Sequence, residues 1–371
     1  MPEEHYGFVP FPNQAVERAS FEAVAHERWQ PGLCHGEWQF ELETQSLLMI
    51  NTGTDENGYP KEDDAVRTFI RSKDPRHLGN PVIPGASLKG MVRAVYEILT
   101  HSCLSQISRV YRGRDRNNPG GGNGTLSNPR EHWPLNDPGL GLQSCRSNLE
   151  ICAACRIFGS ILPGSNGGMG GNAWKGRVSI GDAMTAPGEK PQLTKAWLPV
   201  LATPRPKRRD GSTEYHDYYP DGNMAGRKRY QVLQSTICGD PKERNRHLGG
   251  LNPKPAMALK PGQTFHFRVS FTNLSRAERG VLLRCILLEP GQSHLLGSAK
   301  AHGWGRCAIR LVSWTEISPD ARYRGESGLT KVDPADWPNR MADDLAHAES
   351  EGLYLAEAYE QLKPFTQPKT T

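Results

Sequence analysis

The sequence predicts an α+β fold in which helices cover one face of an antiparallel sheet. Three observations carry that expectation. Residues 264–271, TFHFRVSF, alternate cleanly, with Phe265, Phe267, Val269 and Phe271 on one side, the period of a half-buried strand. Residues 83–99, IPGASLKGMVRAVYEIL, set Leu88, Val92, Val95 and Leu99 in one helical stripe. The coarse order of elements is strand, helix, insertion, strand, insertion, strand, helix, strand. That order matches the split βαβ pattern of ferredoxin-like and RNA-recognition-motif folds.

Residues 37–50, EWQFELETQSLLMI, alternate at Trp38, Phe40 and Leu42 and then run apolar, which predicts one long strand. A charged loop, TGTDENGYPKEDD, leads to the 83–99 helix, for which Ser87 is the candidate N-cap. Residues 112–144, rich in Gly, Asn and Pro, predict a long insertion. RVSIGDAM at 177–184 predicts a strand with β-branched alternation. The polar stretch 204–229 predicts an extended loop or hairpin. After the strand at 264–271 come an amphipathic helix at 274–288, a glycine-rich turn and a last strand. Met341, Leu345, Ala348, Leu355, Tyr359 and Leu362 fall at helical spacing in the tail. No repeat of solenoid period is present.

The chain has 371 residues and net charge +5, with 39 glycines and 29 prolines that suit many loops around a compact centre. It has no run of 18 apolar residues and therefore no expected membrane span. Its first residues, MPEEHYGFVPF, carry acids where a secretory signal has bases and then apolar residues. A cytoplasmic protein is expected. Charge is segregated. Residues 204–260 hold twelve Lys/Arg against six Asp/Glu, and residues 336–360 hold seven acids against one base. That pattern fits a polyanion on one face and a protein neighbour on another; two merely solvated surfaces are the plain alternative.

The 83–99 helix opens with Pro84 and Gly85, then sets Lys89 and Gly90 near its start. Glycine weakens a helix, and a cation near its amino end opposes the dipole. A phosphate on the free N–H groups, met by Lys89 and Arg93, would offset both costs. A capped helix whose lysine simply reaches solvent is the rival account. The turn LGSAKAHGWGR at 296–306 sets Gly297, Gly303 and Gly305 among Lys300, His302 and Arg306, another arrangement that could cradle phosphate or form an ordinary hairpin.

At these residues the chain resembles a known family. IPGASLKGMVRAVYEIL is similar to the helix signature of the RAMP superfamily, proteins of CRISPR effector complexes. CRIFGS at 155–160 with GRVSIGDA at 176–183, FHFRVSFTNLSRAERGVLLRCIL, and LGSAKAHGWGR resemble further family segments in the same order. These matches span roughly residues 37 to 312. Within the superfamily the chain is most similar to the backbone subunits of type III and related Class 1 complexes, which polymerise along a CRISPR RNA. The resemblance implies a modified RNA-recognition-motif palm over about 1–320, with an acidic helical extension at 321–371. It implies a thumb-like hairpin, for which about 185–230 is the candidate on position and charge. It implies RNA-phosphate binding by Ser87, Lys89, Arg93, Gly297, Lys300 and Gly303, with Arg227, Lys228 and Arg229 added from the basic arm. The expected partners are CRISPR RNA, target RNA, copies of the chain, other effector subunits and a separate nuclease. The acidic tail is expected to pack on a neighbouring subunit.

Cys145, Cys152 and Cys155 form C-x6-C-x2-C, a knuckle able to present thiolates to a structural Zn²⁺. Zinc is also what the resemblance implies for this insertion, about 101–160. His132 is the nearest fourth ligand, with His101 and Cys103 as alternatives that fold back after the helix. Three ordinary reduced cysteines are the other reading. In several backbone subunits an Asp after the first strand serves target cleavage with a divalent metal. Asp55 is the candidate here, ahead of Asp63, Asp64 and Asp74, with Mg²⁺ or Mn²⁺ needed only for that activity. Two rivals remain: an RNA-processing endoribonuclease with His216 or His302 as base, and a zinc-stabilised module that binds protein only.

Overall fold

The computed structural model describes residues 5–20, 28–50, 68–104, 137, 139–145, 150–161, 173–200, 224–240 and 253–369. The main elements are β1 (Tyr6–Val9), β2 (Cys34–Thr44), α1 (Gly85–Leu99), β3 (Val178–Ile180), β4 (Leu193–Leu198), β5 (Arg227–Tyr230), β6 (Lys254–Leu259), β7 (Thr264–Leu274), α2 (Arg276–Leu287), β8 (His294–Leu295), β9 (Arg306–Ile317), β10 (Leu329–Lys331), α3 (Trp337–Ser350) and α4 (Ala356–Leu362). The central sheet runs β8-β9-β2-β7-β3, with β10 on β9, and every pairing in it is antiparallel. Two ribbons stand apart from it: β1 with β5, and β4 with β6. Among the described residues no helix is long and apolar enough to cross a membrane.

Period-2 alternation decides which face of the sheet is buried. On β2, Trp38, Phe40 and Leu42 register against Val269, Phe267 and Phe265 of β7 and against Trp314, Leu311 and Ile309 of β9. Trp38 lies 4.4 Å from Phe271 and 5.8 Å from Trp314, centroid to centroid, and Phe40 stacks on Phe267 at 5.2 Å. Each fully buried large apolar side chain contributes about 1.5–3 kcal/mol. The α1 stripe of Leu88, Val92, Val95 and Leu99 is buried in the same core. Glu37, Gln39, Glu41 and Glu43 take the opposite face of β2, where Arg268 pairs with Glu37 at 3.3 Å and Arg310 pairs with Glu41. No aromatic residue stands in that row of β2, and His266 of β7 stands beside Glu41 on the same face.

Gly85 is a packing requirement. A Cβ there would lie 2.2 Å from the Ile180 carbonyl oxygen, because the start of α1 rests directly on the end of β3. Gly85→Ala is expected to cost about 2–3 kcal/mol of stability, read as a shift of the urea midpoint; an unchanged midpoint would refute the contact. Gly90 is different. An added Cβ meets no atom within 4 Å, so packing does not explain it.

Some expectations need correction. The strand at 37–50 ends at Thr44. The apolar run after it is buried as irregular chain, with Leu47 and Met49 carbonyls accepting the Gly305 and Ser298 N–H groups at 2.7 and 2.8 Å. The tail is two helices rather than one, broken at Gly352, whose φ is +71°. The acidic tail also packs on its own chain. Asp344 of α3 is buried, with Arg276 at 3.1 Å and Arg279 at 2.7 Å, and a Cβ on Gly280 of α2 would strike its backbone at 2.7 Å. The amide of Leu355 bonds the last carbonyl of α1 at 2.9 Å. Of the candidate thumb, residues 201–223 lie outside the described residues. The described end, Arg227–Tyr230, does not extend as an arm; it folds back to pair with β1.

Candidate functional site

Pro84, not Ser87, holds the N-cap position of α1, and it supplies no side-chain cap. The Gly85 N–H is instead accepted by Asp182 Oδ1 at 2.7 Å. A carboxylate from the segment after β3 therefore takes one of the donors at the helix start that a phosphate would use. The next face of the helix is open. Ala86, Gly90 and Ala94, spaced i, i+4 and i+8, form one wall of a cleft of ≈ 430 Å³. Ser87, Lys228, Arg229, Tyr230, Gly297 and Lys300 also line it, and Phe365 from the tail closes one side. Gly90 thus keeps the cleft open, the account that packing did not give.

The cleft is cationic. Among the described residues no carboxylate lines it, and neither Arg229 nor Lys300 has an ion-pair partner. Burial pulls the Arg229 guanidinium down to about 10. Lys300 is lowered by burial and then by the nearby charge of Arg229, and burial lowers Lys228 as well. Two half-buried like charges with no counter-ion are unfavourable in the free protein. A bound anion removes that cost.

Gly297 lies in this wall for a structural reason. Its φ is +85°, and a Cβ would meet the Met49 carbonyl oxygen at 2.2 Å. Gly303 is equally constrained, 2.0 Å from the Ser235 carbonyl oxygen, and does not line the cleft. The glycines of this turn fit backbone against backbone, which is a different role from the ligand contact expected of them.

Lys89 and Arg93 sit in the adjacent helix row and do not line the cleft. Arg93 Nε meets Glu97 Oε1 at 2.8 Å, its Nη1 donates to the Gly159 carbonyl at 3.1 Å, and its Nη2 lies 3.5 Å from Cys155 Sγ. Burial and the Arg93 charge lower the Lys89 pKa.

Arg93 leads to the second feature. Cys103, Cys145, Cys152 and Cys155 are all buried, and their Sγ atoms lie within 4.8 Å of one another. Cys103 stands just past the end of α1, and Cys155 belongs to the short helix Ala153–Phe158. The sulfur pairs Cys103–Cys155 and Cys103–Cys145 are 3.7 and 3.9 Å apart. That is far from a disulfide bond. A tetrahedral Zn²⁺ with Zn–S of about 2.3 Å sets sulfurs about 3.8 Å apart, so the donor set fits zinc. Thiols this close share protons: hydrogen bonds from Cys103, Cys145 and Cys155 hold the Cys152 thiol well below its ordinary value, and Cys103 brings Cys145 down to about 7. Two arginines neighbour the cluster. Arg227 pairs with Glu97 at 3.3 Å and donates to the Ser102 carbonyl. Arg93 Nη2 and the Arg227 guanidinium thus both stand beside the cluster. A four-thiolate zinc site carries net charge −2, and these two cations offset it.

The candidate acid Asp55, with Asp63 and Asp64, lies outside the described residues, as do His132 and His216. Asp74 caps the turn Pro75–His77 and pairs with Arg76 at 2.8 Å. His302 stacks on His5 at 5.7 Å, and burial lowers its pKa.

Sequence reasoning missed Asp182, Tyr230 and Phe365 and placed Arg227 among the phosphate contacts. Tyr230 follows Arg227–Arg229 directly and could have been read with it. Nothing local marks Asp182 or Phe365, which reach the site only through the fold. A family model described as the RAMP superfamily matches residues 41–308. No curated protein matches the chain.

Proposed function

The chain belongs to the RAMP superfamily, the match covering well over half its length, and is therefore a CRISPR-associated RNA-binding module; from that premise we propose that it is a backbone subunit that binds CRISPR RNA, assembles with copies of itself and other effector subunits along the guide, and holds the guide with its target RNA. The sheet order supports a modified ferredoxin-like palm, since β2-α1-β3-β7-α2-β9 forms the split βαβ series with the fourth strand beside the first. The protein acts in the cytoplasm, and a separate nuclease does any cutting.

One observation carries the reading: Arg229 and Lys300, which have no acidic partner among the described residues, share one cleft with Ser87, Lys228 and Gly297. Phosphate contacts of this kind hold any guide sequence, because the backbone is invariant. Cys103, Cys145, Cys152 and Cys155 would hold a structural Zn²⁺, which contributes cross-linking of the end of α1 to the segment 145–155.

Arg229→Gln combined with Lys300→Gln is expected to weaken binding of single-stranded CRISPR RNA on the order of 100-fold, since each charge-assisted contact is worth about 1.5–3 kcal/mol. The slope of log affinity against log salt should shrink by about 1.4 for two lost phosphates. Unchanged affinity and slope in a salt-series gel shift would overturn the proposal.

A further inference from the structure

The two ends of α1 carry unlike surfaces. At its amino end, Ile70–Arg71 pairs with Pro81–Val82 in a small hairpin that runs through Ile83 and Pro84 into the helix. Ser72 and His77 of this hairpin are buried and anchor it, while Leu78 is 71% exposed and Ile70 49%. Arg71, Lys73 and Arg76 are exposed beside them. Asp74 takes Arg76 at 2.8 Å. Arg71 donates to the Gly79 carbonyl and the Thr68 hydroxyl, and among the described residues neither Arg71 nor Lys73 meets a carboxylate. At the carboxyl end, the Leu355 N–H bonds the Leu99 carbonyl at 2.9 Å and sets the tail there. A groove of ≈ 530 Å³ lies between the tail and the N-terminal segment. Phe11 and Pro12 line it from the segment, and Tyr354, Leu355, Glu349 and Glu357 from the tail. Among the described residues no Lys, Arg or His lines it. Both glutamates are exposed. Glu357 accepts the Gln361 amide at 3.4 Å, and neither glutamate has an ion-pair partner among the described residues.

We propose that the hairpin of one copy of this chain seats in the groove of the next copy. The proposal rests on the reading above of a subunit that assembles with copies of itself, and it names the contact. An apolar tip flanked by cations fits an apolar groove flanked by carboxylates, and one chain carries both halves. A nucleic acid is a poor occupant of the groove, because the two glutamates repel it. A contact between unlike patches is heterologous, so it extends into a row instead of closing a pair. The patches stand at opposite ends of a helix about 22 Å long. The cationic cleft runs along the same helix, past Ala86, Gly90 and Ala94. Copies joined end to end therefore set their clefts in series, as one RNA crossing several copies needs.

Sedimentation velocity of the full chain, alone and with a single-stranded RNA long enough for several copies, tests the contact. Lys73→Glu with Leu78→Glu blocks the hairpin, and Glu349→Lys with Glu357→Lys blocks the groove; all four side chains are exposed, so the fold is kept. Each variant should bind a short RNA that holds one copy as wild type does. On the long RNA each should assemble at least about tenfold more weakly. An equimolar mixture of the two variants should assemble into pairs and no further, since one intact hairpin then meets one intact groove. If wild type forms rows on RNA and neither variant changes them, the contact is wrong and the reading of an assembling subunit stands. If wild type binds RNA only as single copies, both fall. If one variant alone blocks assembly, or the mixture fails to pair, the blocked surface meets something other than its proposed mate and the contact is overturned. Loss of short-RNA binding would place that surface in RNA binding and overturn it as well.

Discussion

Cys103→Ser is expected to abolish stoichiometric zinc and to cost more than about 4 kcal/mol of stability, an exceptional loss for one substitution. Cys103 is the ligand that joins the end of α1 to Cys145, Cys152 and Cys155. A serine hydroxyl stays protonated at neutral pH and donates no thiolate, so the remaining three sulfurs hold an incomplete site. The loss spreads, because Arg93 reaches Cys155 Sγ and Arg227 donates to the Ser102 carbonyl next to Cys103, and both pair with Glu97. Elemental analysis and thermal melting, with Cys238→Ser as an exposed control outside the cluster, check the result. One zinc per chain retained in the variant, or an unchanged melting temperature, would exclude the assignment.

Glu278→Ala should destabilise the protein by about 3–5 kcal/mol by stranding buried charge. Glu278 is buried on α2 and binds Arg177, itself buried, together with Arg156 at 3.3 Å. Its other oxygen accepts the Ser275 N–H at 3.0 Å, half of a capping box. The residue therefore ties together the helix start, the segment around Arg156 and the strand after Arg177. Removing it leaves two guanidinium groups without their anion and opens the cap. Glu278→Gln should lose less, because an amide keeps the cap and one hydrogen bond. Urea unfolding reads both variants, and a loss under about 1 kcal/mol for the alanine would show that the network contributes little.

Periodicity made the palm legible. Phe265, Phe267, Val269 and Phe271, and the stripe from Leu88 to Leu99, are buried as their spacing implies, because one-sided burial leaves its period in the residues. The run from Leu47 to Ile50 misled because irregular chain buried under a turn is as apolar as a strand. Ser87 has the chemistry of a cap, but Asp182 does that work from 97 residues away in the chain, and no local pattern reveals a partner so remote. Cys103 was visible only as one of several ligands able to fold back, since its spacing from Cys145 spans a long insertion. Arg93 and Lys300 look alike as basic residues. The fold commits the first to Glu97 and Cys155 and leaves the second in the cleft, a difference set by which helix row and which turn face the opening. Phe365 belongs to a tail whose charge suggested an external partner.

The row Glu37, Glu41 and Glu43 on the outer face of the sheet is met by Arg268 and Arg310, whereas the cleft beside α1 gathers Lys228, Arg229 and Lys300 with no carboxylate among its described lining. The cations of the sheet face are thus held by acids of their own, while those of the cleft are left to draw in a polyanion. Capture should therefore slow as ionic strength rises, with the arrival rate falling more steeply than the rate of escape grows.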